Sequence, residues 1–328
     1  MKKVAIIGSG SWGAALGIYL GNHGHEVRMW SYDEDEKNLI NNKRKCVFLP
    51  QAIIPDGVIC SSSFEEVLDG ADIILHVTPS KFVRSTIKQY KHLVKPNQML
   101  IMCSKGFEAE TGYTLDQIME EELPGIKTGI LSGPSHAEEV SVGVPTLLVV
   151  ASKDEEVRNV ISDEFKSNTL RIYTSADVRG VELGGALKNI IAFCAGIAVG
   201  LELGDNSFAA LATRGLVEIN RLGTAMGGES KTFYGLSGLG DLIVTCGSVH
   251  SRNRKAGELI GRGYTIEEAR KQIGMTIESV DNIDVAYMLA KKYNVEMPIV
   301  EKVYEVLYNG LSPKEAVNIL MTREPKSE

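Results

Sequence analysis

The chain has 328 residues, more than a single hydrophobic core usually organises, so two domains are expected. Hydrophobic residues make up 44% and charged residues 23%, which is ordinary soluble globular composition. A net charge of −7 argues against a general nucleic-acid or anionic-membrane binder, since either needs a basic surface, but a small anionic ligand needs only a few local cations.

The apolar run that follows Met1-Lys2-Lys3 stops at Gly8, too soon for a signal h-region, and reads as a first strand. The later apolar stretch at 190–201 falls well short of a membrane span, so no stable membrane insertion is expected. Cys46, Cys60, Cys103, Cys194 and Cys246 are odd in number and never spaced Cys-x-x-Cys, which suits reduced thiols in a cytoplasmic protein. No His-x-x-x-His pair occurs, so no metal is expected.

Strands are expected at 4–8, 26–30, 58–60, 73–77, 99–103, 128–131 and 146–150. Helical patterns at 12–23, 64–69, 81–91, 114–122 and 155–165 separate them. Such alternation predicts right-handed βαβ units and a mostly parallel sheet. Beyond Tyr173 strand signals nearly vanish. Helices are expected at 177–200, at 206–226 with Asp205 or Asn206 as N-cap, and at 252–261, 266–272, 283–293, 298–308 and 313–321. The tail at 323–328 reads as frayed. The expected organisation is an α/β domain over 1–175 and an all-α domain over 176–328, with no Gly/Ser linker between them.

Gly8-Ser9-Gly10-Ser11-Trp12-Gly13 follows a strand and opens a helix, the context in which this spacing signals a Rossmann-type dinucleotide loop. Gly8 permits the tight turn, Gly10 lets a pyrophosphate approach the backbone, and Gly13 lets helix and strand pack closely. The helix N-terminus then offers free N–H groups and positive potential. Asp33, 20 residues after Gly13, has two open readings. It can bind a ribose 2′-OH and disfavour NADPH, or it can cap the helix that begins with Glu34-Asp35-Glu36.

Three polar clusters follow. Lys105, in Cys103-Ser104-Lys105-Gly106, sits at a strand end, where a parallel sheet faces its ligand crevice. Lys188, in Glu182-Leu183-Gly184-Gly185-Ala186-Leu187-Lys188-Asn189, enters an apolar helix, which is costly unless the charge is paired and suits an acid or base. Asp241, in a glycine-rich turn at 235–242, leads through Thr245 to Ser251-Arg252-Asn253-Arg254, which suits an anionic, hydroxylated ligand. Taken singly each has a bland alternative: a solvated strand-end lysine, a snorkelling lysine, a turn acid, an exposed basic face.

These residues occur in order with Gly133-Pro134-Ser135-x-Ala137-x-Glu139 and Thr213-Arg214-Gly215. Together they resemble bacterial NAD(P)-dependent glycerol-3-phosphate dehydrogenase, from residue 1 to about 320. The resemblance implies reversible reduction of dihydroxyacetone phosphate to sn-glycerol 3-phosphate, which supplies glycerophospholipid synthesis. It implies Lys188 as proton donor and acceptor, with Lys105 and Asp241 beside it. It places the phosphorylated triose on Lys105, Gly133, Ser135, Asp241, Thr245, Ser251, Arg252 and Asn253. It places NAD(H) or NADP(H) on Gly8, Gly10, Ser11, Trp12, Gly13, Tyr32, Asp33, Phe48, Lys105, Ala137, Arg252, Ile277 and Glu278. A protonated lysine can neutralise the oxygen that hydride addition leaves charged. By analogy with helical-domain dehydrogenases a homodimer is expected.

Three positions depart from the family pattern. His136 stands where an aromatic is usual, Tyr32-Asp33 replaces basic residues after the second strand, and Cys246 precedes the substrate loop. Rival readings are a dehydrogenase for a sugar acid or 3-hydroxyacyl substrate and a non-catalytic NAD(H) sensor. The first wants a carboxylate-binding arrangement or a catalytic His–Glu pair in the helical domain, which instead offers Lys188 and no histidine between His136 and His250. The second has no use for the Lys105, Lys188 and Asp241 set.

Overall fold

The computed structural model describes residues 1–324; the frayed tail expected at 323–328 lies mostly outside them. The chain divides into two compact units, one of Met1–Lys105 with Tyr113–Glu182, the other of Gly106–Gly112 with Leu183 onward.

The first unit opens with β1 (Lys3–Ile7), α1 (Ser11–Asn22), β2 (Glu26–Trp30), α2 (Glu34–Lys43), β3 (Val58–Ser61), α3 (Phe64–Leu68) and β4 (Ile73–His76). It continues through α4 (Val83–Tyr90), β5 (Met99–Met102), α5 (Leu115–Glu122), β6 (Lys127–Ser132), α6 (Ala137–Val140), β7 (Thr146–Ala151), α7 (Glu155–Phe165) and β8 (Leu170–Ser175). The strand order is β3-β2-β1-β4-β5-β6-β7-β8. Neighbouring strands run parallel except β6 against β7. The central strands β1, β4 and β5 are buried on both faces, which is why they read as unbroken apolar runs. Strand order reverses between β1 and β4, and the C-terminal ends of the strands there form a topological switch point.

Strand β8 and the short helix α6 were not among the elements expected, and α2 is the helix that one reading of Asp33 required. Strand β8 alternates, with Leu170 and Ile172 buried and Arg171 and Tyr173 turned out, a half-exposed signature weaker than an apolar run. Helix α2 has almost no apolar face, burying only Glu36 and Ile40, and is held at its start by Asp33.

α8 (Val178–Gly200) is buried almost throughout, from Val181 to Ala198. A helix surrounded on all sides shows no amphipathic stripe, and this one is long and apolar enough to cross a membrane by composition alone, yet its apolar stretch is packed inside the fold. Each fully buried residue such as Leu183, Ile190, Ile191 or Phe193 contributes roughly 1.5–3 kcal/mol of transfer free energy. Asp177 caps α8, its Oδ1 accepting from Gly180 N at 2.8 Å.

The described part of the second unit is helical, with no strand. After α8 come α9 (Gly204–Ala225), α10 (Ser230–Phe233), a π-helical turn (Leu236–Gly240), α11 (Asp241–Gly247) and α12 (Arg252–Gly261). α13 (Ile266–Ile273), α14 (Glu278–Lys292), α15 (Pro298–Tyr308) and α16 (Pro313–Met321) complete it. Two expectations are corrected here. α9 begins at Gly204 with Leu203 in the cap position, so neither Asp205 nor Asn206 caps it. The glycine-rich stretch at 235–242 is not an open turn: its glycines let a π turn pack against neighbours and run into α11. Gly184 of α8 lies under that π turn, where a Cβ would come within 2.8 Å of Ser237 O. α8 also crosses α12 with main chains touching, since a Cβ at Gly196 would overlap Arg254 O and one at Gly257 would overlap Phe193 O.

Candidate active site

The glycine loop lies between β1 and α1 in the first unit. Gly8 has φ +122° and sits against the end of β4, where a Cβ would be 3.2 Å from Val77 O. A Cβ at Gly13 would overlap Gly8 O, so α1 can leave the strand this closely only with glycine there. At Gly10 the opposite holds: a Cβ would meet nothing within 4 Å, so the space over the loop is open. Gly10 is the N-cap of α1, with no side chain capping the helix and no acid in its first turn. Uncapped N–H donors under open space fit a pyrophosphate, so the residues present suit a dinucleotide.

Asp33 does cap α2: its Oδ1 accepts from Asp35 N at 2.9 Å and Glu36 N at 3.3 Å. Both bonds fall on one oxygen, so the capping role leaves the other oxygen's lone pairs out of the cap. Trp12 and Phe48 pack partly buried against the first unit's core. Tyr32 is 83% exposed, its ring 6.5 Å from that of Trp30. Lys105 Nζ donates to Gly133 O at 3.3 Å, and Ser135 Oγ donates to the same oxygen at 3.1 Å. Gly133, at φ +132°, turns the chain out of β6 toward α6. His136 is the N-cap residue of α6 but caps through its backbone geometry, and Ala137 is the first, buried residue of that helix.

Glu182 belongs to this unit, at the start of α8. It is buried and accepts from Leu115 N at 2.5 Å and Asp116 N at 3.1 Å, closing the N-terminus of α5. Burial, and then the Asp116 charge, hold its carboxyl well above the usual range.

In the second unit, Lys188 projects from α8 into a polar pocket made by α11. Its Nζ donates to Asp241 Oδ1 at 2.8 Å and to Thr245 Oγ1 at 2.6 Å, and Thr245 Oγ1 donates to Asp241 Oδ1 at 3.2 Å. Lys188 is 6% exposed and Asp241 1%, so this is a buried ion pair. Breaking one side of such a pair strands a charge and costs roughly 3–5 kcal/mol. Asp241 and Thr245 are four apart, one helical turn, which places both on the face toward Lys188. Cys246 beside them is buried, and burial pushes its thiol up to about 12, which disfavours the nucleophilic thiolate.

A second network joins three helices. Ser279 N donates to Asn253 Oδ1 at 3.0 Å, Asn253 Nδ2 to Asn189 Oδ1 at 3.0 Å, and Asn189 Nδ2 to Glu278 Oε2 at 2.9 Å. α8, α12 and α14 are thereby tied at the residues next to Lys188, Arg252 and Ile277. Ser251 caps α12, accepting from Arg254 N at 3.2 Å, and Arg252 Nη1 lies 4.0 Å from Met275 Sδ. Asn282 Oδ1 accepts from Phe107 N at 3.0 Å, and its Nδ2 donates to Glu278 O at 2.7 Å. Asn189 and Asn282 escaped the sequence-based site. Asn189 ends the Glu182–Asn189 motif, whereas the only signal for Asn282 is an amide on the buried face of a helix. Among the described residues no group of three or more His, Cys, Asp or Glu side chains gathers as a metal site.

Family models supply the context for these two networks. Residues 3–158 match the N-terminal model of NAD-dependent glycerol-3-phosphate dehydrogenase, and residues 177–318 match its C-terminal model. The chain belongs to the NAD-dependent glycerol-3-phosphate dehydrogenase family. It is 48% identical to the glycerol-3-phosphate dehydrogenase [NAD(P)+] of Fusobacterium nucleatum, across 100% of this chain and 99% of that protein. It is 46% identical to that of Clostridium perfringens, with the same coverage. Among solved structures, glycerol-3-phosphate dehydrogenase from Coxiella burnetii superposes with a TM-score of 0.95 at 36% identity, covering 98% of this chain and 99% of that one. The Saccharomyces cerevisiae enzyme superposes at 0.84 with 27% identity, covering 97% and 99%. As a glycerol-3-phosphate dehydrogenase family member the protein is an oxidoreductase that uses NAD(P), and its Rossmann-type sheet with a helical C-terminal region is the family's architecture.

Proposed function

We propose that this protein catalyses the reversible reduction of dihydroxyacetone phosphate to sn-glycerol 3-phosphate, supplying glycerophospholipid synthesis. The observation that carries the residue roles is the buried Lys188 ammonium, held by Asp241 and Thr245. The reduced nicotinamide, when bound, supplies the hydride. Lys188 carries the proton that the product alcohol oxygen needs, and Asp241 keeps its ammonium charged while it waits. Burial strengthens the field of that ammonium on a developing alkoxide, because little water screens it. Thr245 accepts one Lys188 N–H and so fixes the direction of the side chain.

Ser251, Arg252 and Asn253 are read as the holders of the substrate phosphate, at the start of α12, where backbone N–H groups and a guanidinium favour an anion. Lys105, with Gly133 and Ser135, is read as the substrate contact of the first unit. Gly8, Gly10, Ser11, Trp12 and Gly13 serve the pyrophosphate, Tyr32, Asp33 and Phe48 the adenosine end, and Ala137, Arg252, Ile277 and Glu278 the remaining cofactor contacts. On this reading 1–175 is the cofactor domain and 176–328 the substrate domain. A homodimer and a cytoplasmic location complete the proposal; five buried, unpaired thiols fit a reducing compartment.

The test is oxidation of NADH and NADPH, followed by nicotinamide absorbance, with dihydroxyacetone phosphate against other ketones and 2-keto acids. A rate with dihydroxyacetone phosphate at least about a hundredfold above the others is expected, because a site built for a phosphate loses that binding energy with substrates lacking it. No rate with dihydroxyacetone phosphate overturns the reading.

A further inference from the structure

One motif of the sequence, Thr213-Arg214-Gly215, has no part in the roles above. In the structure Arg214 lines a cavity of about 460 Å³ in the second unit, walled by residues of α8, α9, α15 and α16. That is the size of a small-molecule site, which typically holds about 300–1,000 Å³. Lys188, Asp241, Thr245 and the start of α12 take no part in its lining.

The chemistry of the cavity changes along its length. α9 gives it one stripe at three- and four-residue spacing, from Leu203 through Ser207 and Ala210 to Arg214, Glu218 and Arg221. Small or apolar side chains make the first half of that stripe, and charged ones make the second. α15 sets off from the charged end, because Glu218 accepts from Ile299 N at 2.8 Å and from Val300 N at 3.2 Å. Val303 and Val306 line the cavity about 6 and 10 Å farther along that helix than Ile299. Val317 and Leu320 of α16 and Ile197 of α8 add to the apolar walls. Arg323, just past α16, belongs to the charged end, since its charge and that of Arg221 both act on the Glu218 carboxyl.

The charge there is one-sided. Arg214, Arg221, Lys302 and Arg323 line the cavity with a single acid, Glu218, whose carboxyl burial pushes up to about 7. Glu218 is already engaged with the start of α15, and Lys302 is held by Glu305 at 2.8 Å. Among the described residues neither Arg221 nor Arg323 forms a salt bridge. An apolar trough that ends in such guanidinium groups is the complement of an amphiphile with one apolar chain and an anionic head. A carboxylate accepts two parallel N–H bonds from an arginine, and each methylene of its chain gains by leaving water. The residues beyond Glu324, which are Pro325, Lys326, Ser327 and Glu328, carry no large apolar side chain to fill the trough.

We propose that this cavity binds a long-chain fatty carboxylate, with its chain between the first half of α9 and the α15–α16 pair and its carboxylate on Arg221 and Arg323. The site is separate from that of the proposed reduction and does not depend on it.

Fluorescence titration of the full-length protein with parinaric acid, a naturally fluorescent fatty acid, below its micelle concentration tests this. Saturable binding of one molecule per chain is expected, with a dissociation constant of about 10 µM or lower. Dodecanoate should displace the probe, and dodecanol, which has the same chain without the charge, should do so about tenfold less well. Ala210→Phe sets a ring into the apolar half from an exposed helix position and should weaken binding by about tenfold or more. Arg221→Gln combined with Arg323→Gln should weaken dodecanoate by about the same factor and leave dodecanol unchanged. Circular dichroism and thermal midpoints matched to the wild type separate a lost site from a lost fold, and the two variants act at opposite ends, so either one suffices to place the ligand. Absence of saturable binding overturns the proposal, as does binding that either folded variant leaves unchanged. Equal displacement by dodecanol overturns it too, since the basic end would then hold nothing. Light scattering checks the rival occupant: a wild-type dimer that Ala210→Phe splits, with no fatty acid bound, makes the cavity a seat for a second copy of this chain and ends the proposal.

Discussion

Two helix starts, α1 in the first unit and α15 in the second, are treated in opposite ways. α1 has Gly10 at its N-cap, with its first N–H groups uncapped by any side chain and open space above the glycine. α15 begins at Pro298, and its first N–H groups are already taken: Glu218, from α9, accepts from Ile299 N at 2.8 Å and from Val300 N at 3.2 Å. The backbone chemistry is the same in both places. What differs is whether the chain brings its own anion. Where it does, the helix start becomes a staple between two helices; where it does not, it becomes a place for a phosphate from outside. The staple carries an electrostatic cost, because Glu218 is 2% exposed and burial pushes its carboxyl up to about 7 despite those two hydrogen bonds.

The comparison breaks most sharply at Lys188. The proposed cofactor cradle of the first unit is made by main chain, whereas the proposed proton donor is one side chain of the second. Lys188→Ala should lower kcat by about 10³-fold or more while the NADH dissociation constant changes by less than about threefold. Near-normal kcat in steady-state assays would remove Lys188 from the chemistry, and lost cofactor binding would show that the two regions are not separable in this way.

A smaller effect sharpens the picture of the stapled helix. The Glu218 carboxyl is raised from an ordinary 4.5 to about 7, so the folded state favours its protonated form. Its contribution to stability is then fully present below about pH 4.5 and is lost as pH rises through about 7. Moving the value that far corresponds to at most about 3 kcal/mol. Glu218→Gln should be the less stable protein at pH 5, because its amide nitrogen faces a backbone donor. It should lack the part of the decline between pH 5 and pH 8 that the wild type shows in urea unfolding. Parallel pH profiles for the two proteins would mean that Glu218 keeps an ordinary affinity for its proton.

The smallest change concerns Thr245, which accepts from Lys188 and donates to Asp241. Thr245→Val keeps the shape and removes the hydroxyl, leaving one Lys188 N–H without that partner. It should cost about tenfold in kcat, near 1.4 kcal/mol, with cofactor affinity unchanged. Restored activity in Thr245→Ser would separate the hydrogen bond from the packing of the methyl group.

The same contrast explains what could be read from the residues alone. A main-chain cradle needs glycines at fixed spacing after a strand, and Gly8, Gly10 and Gly13 announce it within a few positions. β1, β4 and β5 are equally legible, because strands covered on both faces are mostly apolar; β4 admits His76 with its ring nitrogens bonded to Tyr90 and Thr78. The side-chain networks are different in kind. Lys188, Asp241 and Thr245 are scattered along the chain, and nothing in the spacing of Asp241 and Thr245 names Lys188 as their partner. That grouping came from resemblance, and the contacts came from the fold. The glycine-rich stretch at 235–242 misled for a physical reason: glycine marks tight approach as well as turns, and here Gly238 lets the π turn lie against Phe233 while Gly184 lets α8 approach it. The buried position of Glu36 in α2 was invisible for the opposite reason. Among the acids of Asp33-Glu34-Asp35-Glu36 it looks like one more first-turn charge, and only the direction of its side chain separates it from the others.

The glycine-to-carbonyl crossing of α8 and α12 carries an evolutionary consequence. Lys188 and Asn189 lie two helical turns before Gly196, and Arg252 and Asn253 lie in the turn before Gly257. Their mutual placement is thus inherited through main chain pressed on main chain, with no side chain in between to trim or lengthen. Point mutation has no gradual route for moving the lysine nearer to or farther from the arginine: the first methyl group at either glycine already collides. On the roles proposed for Lys188 and Arg252, a lineage drifting toward a longer or shorter phosphorylated substrate would have to leave this helix pair alone and change other parts of the site.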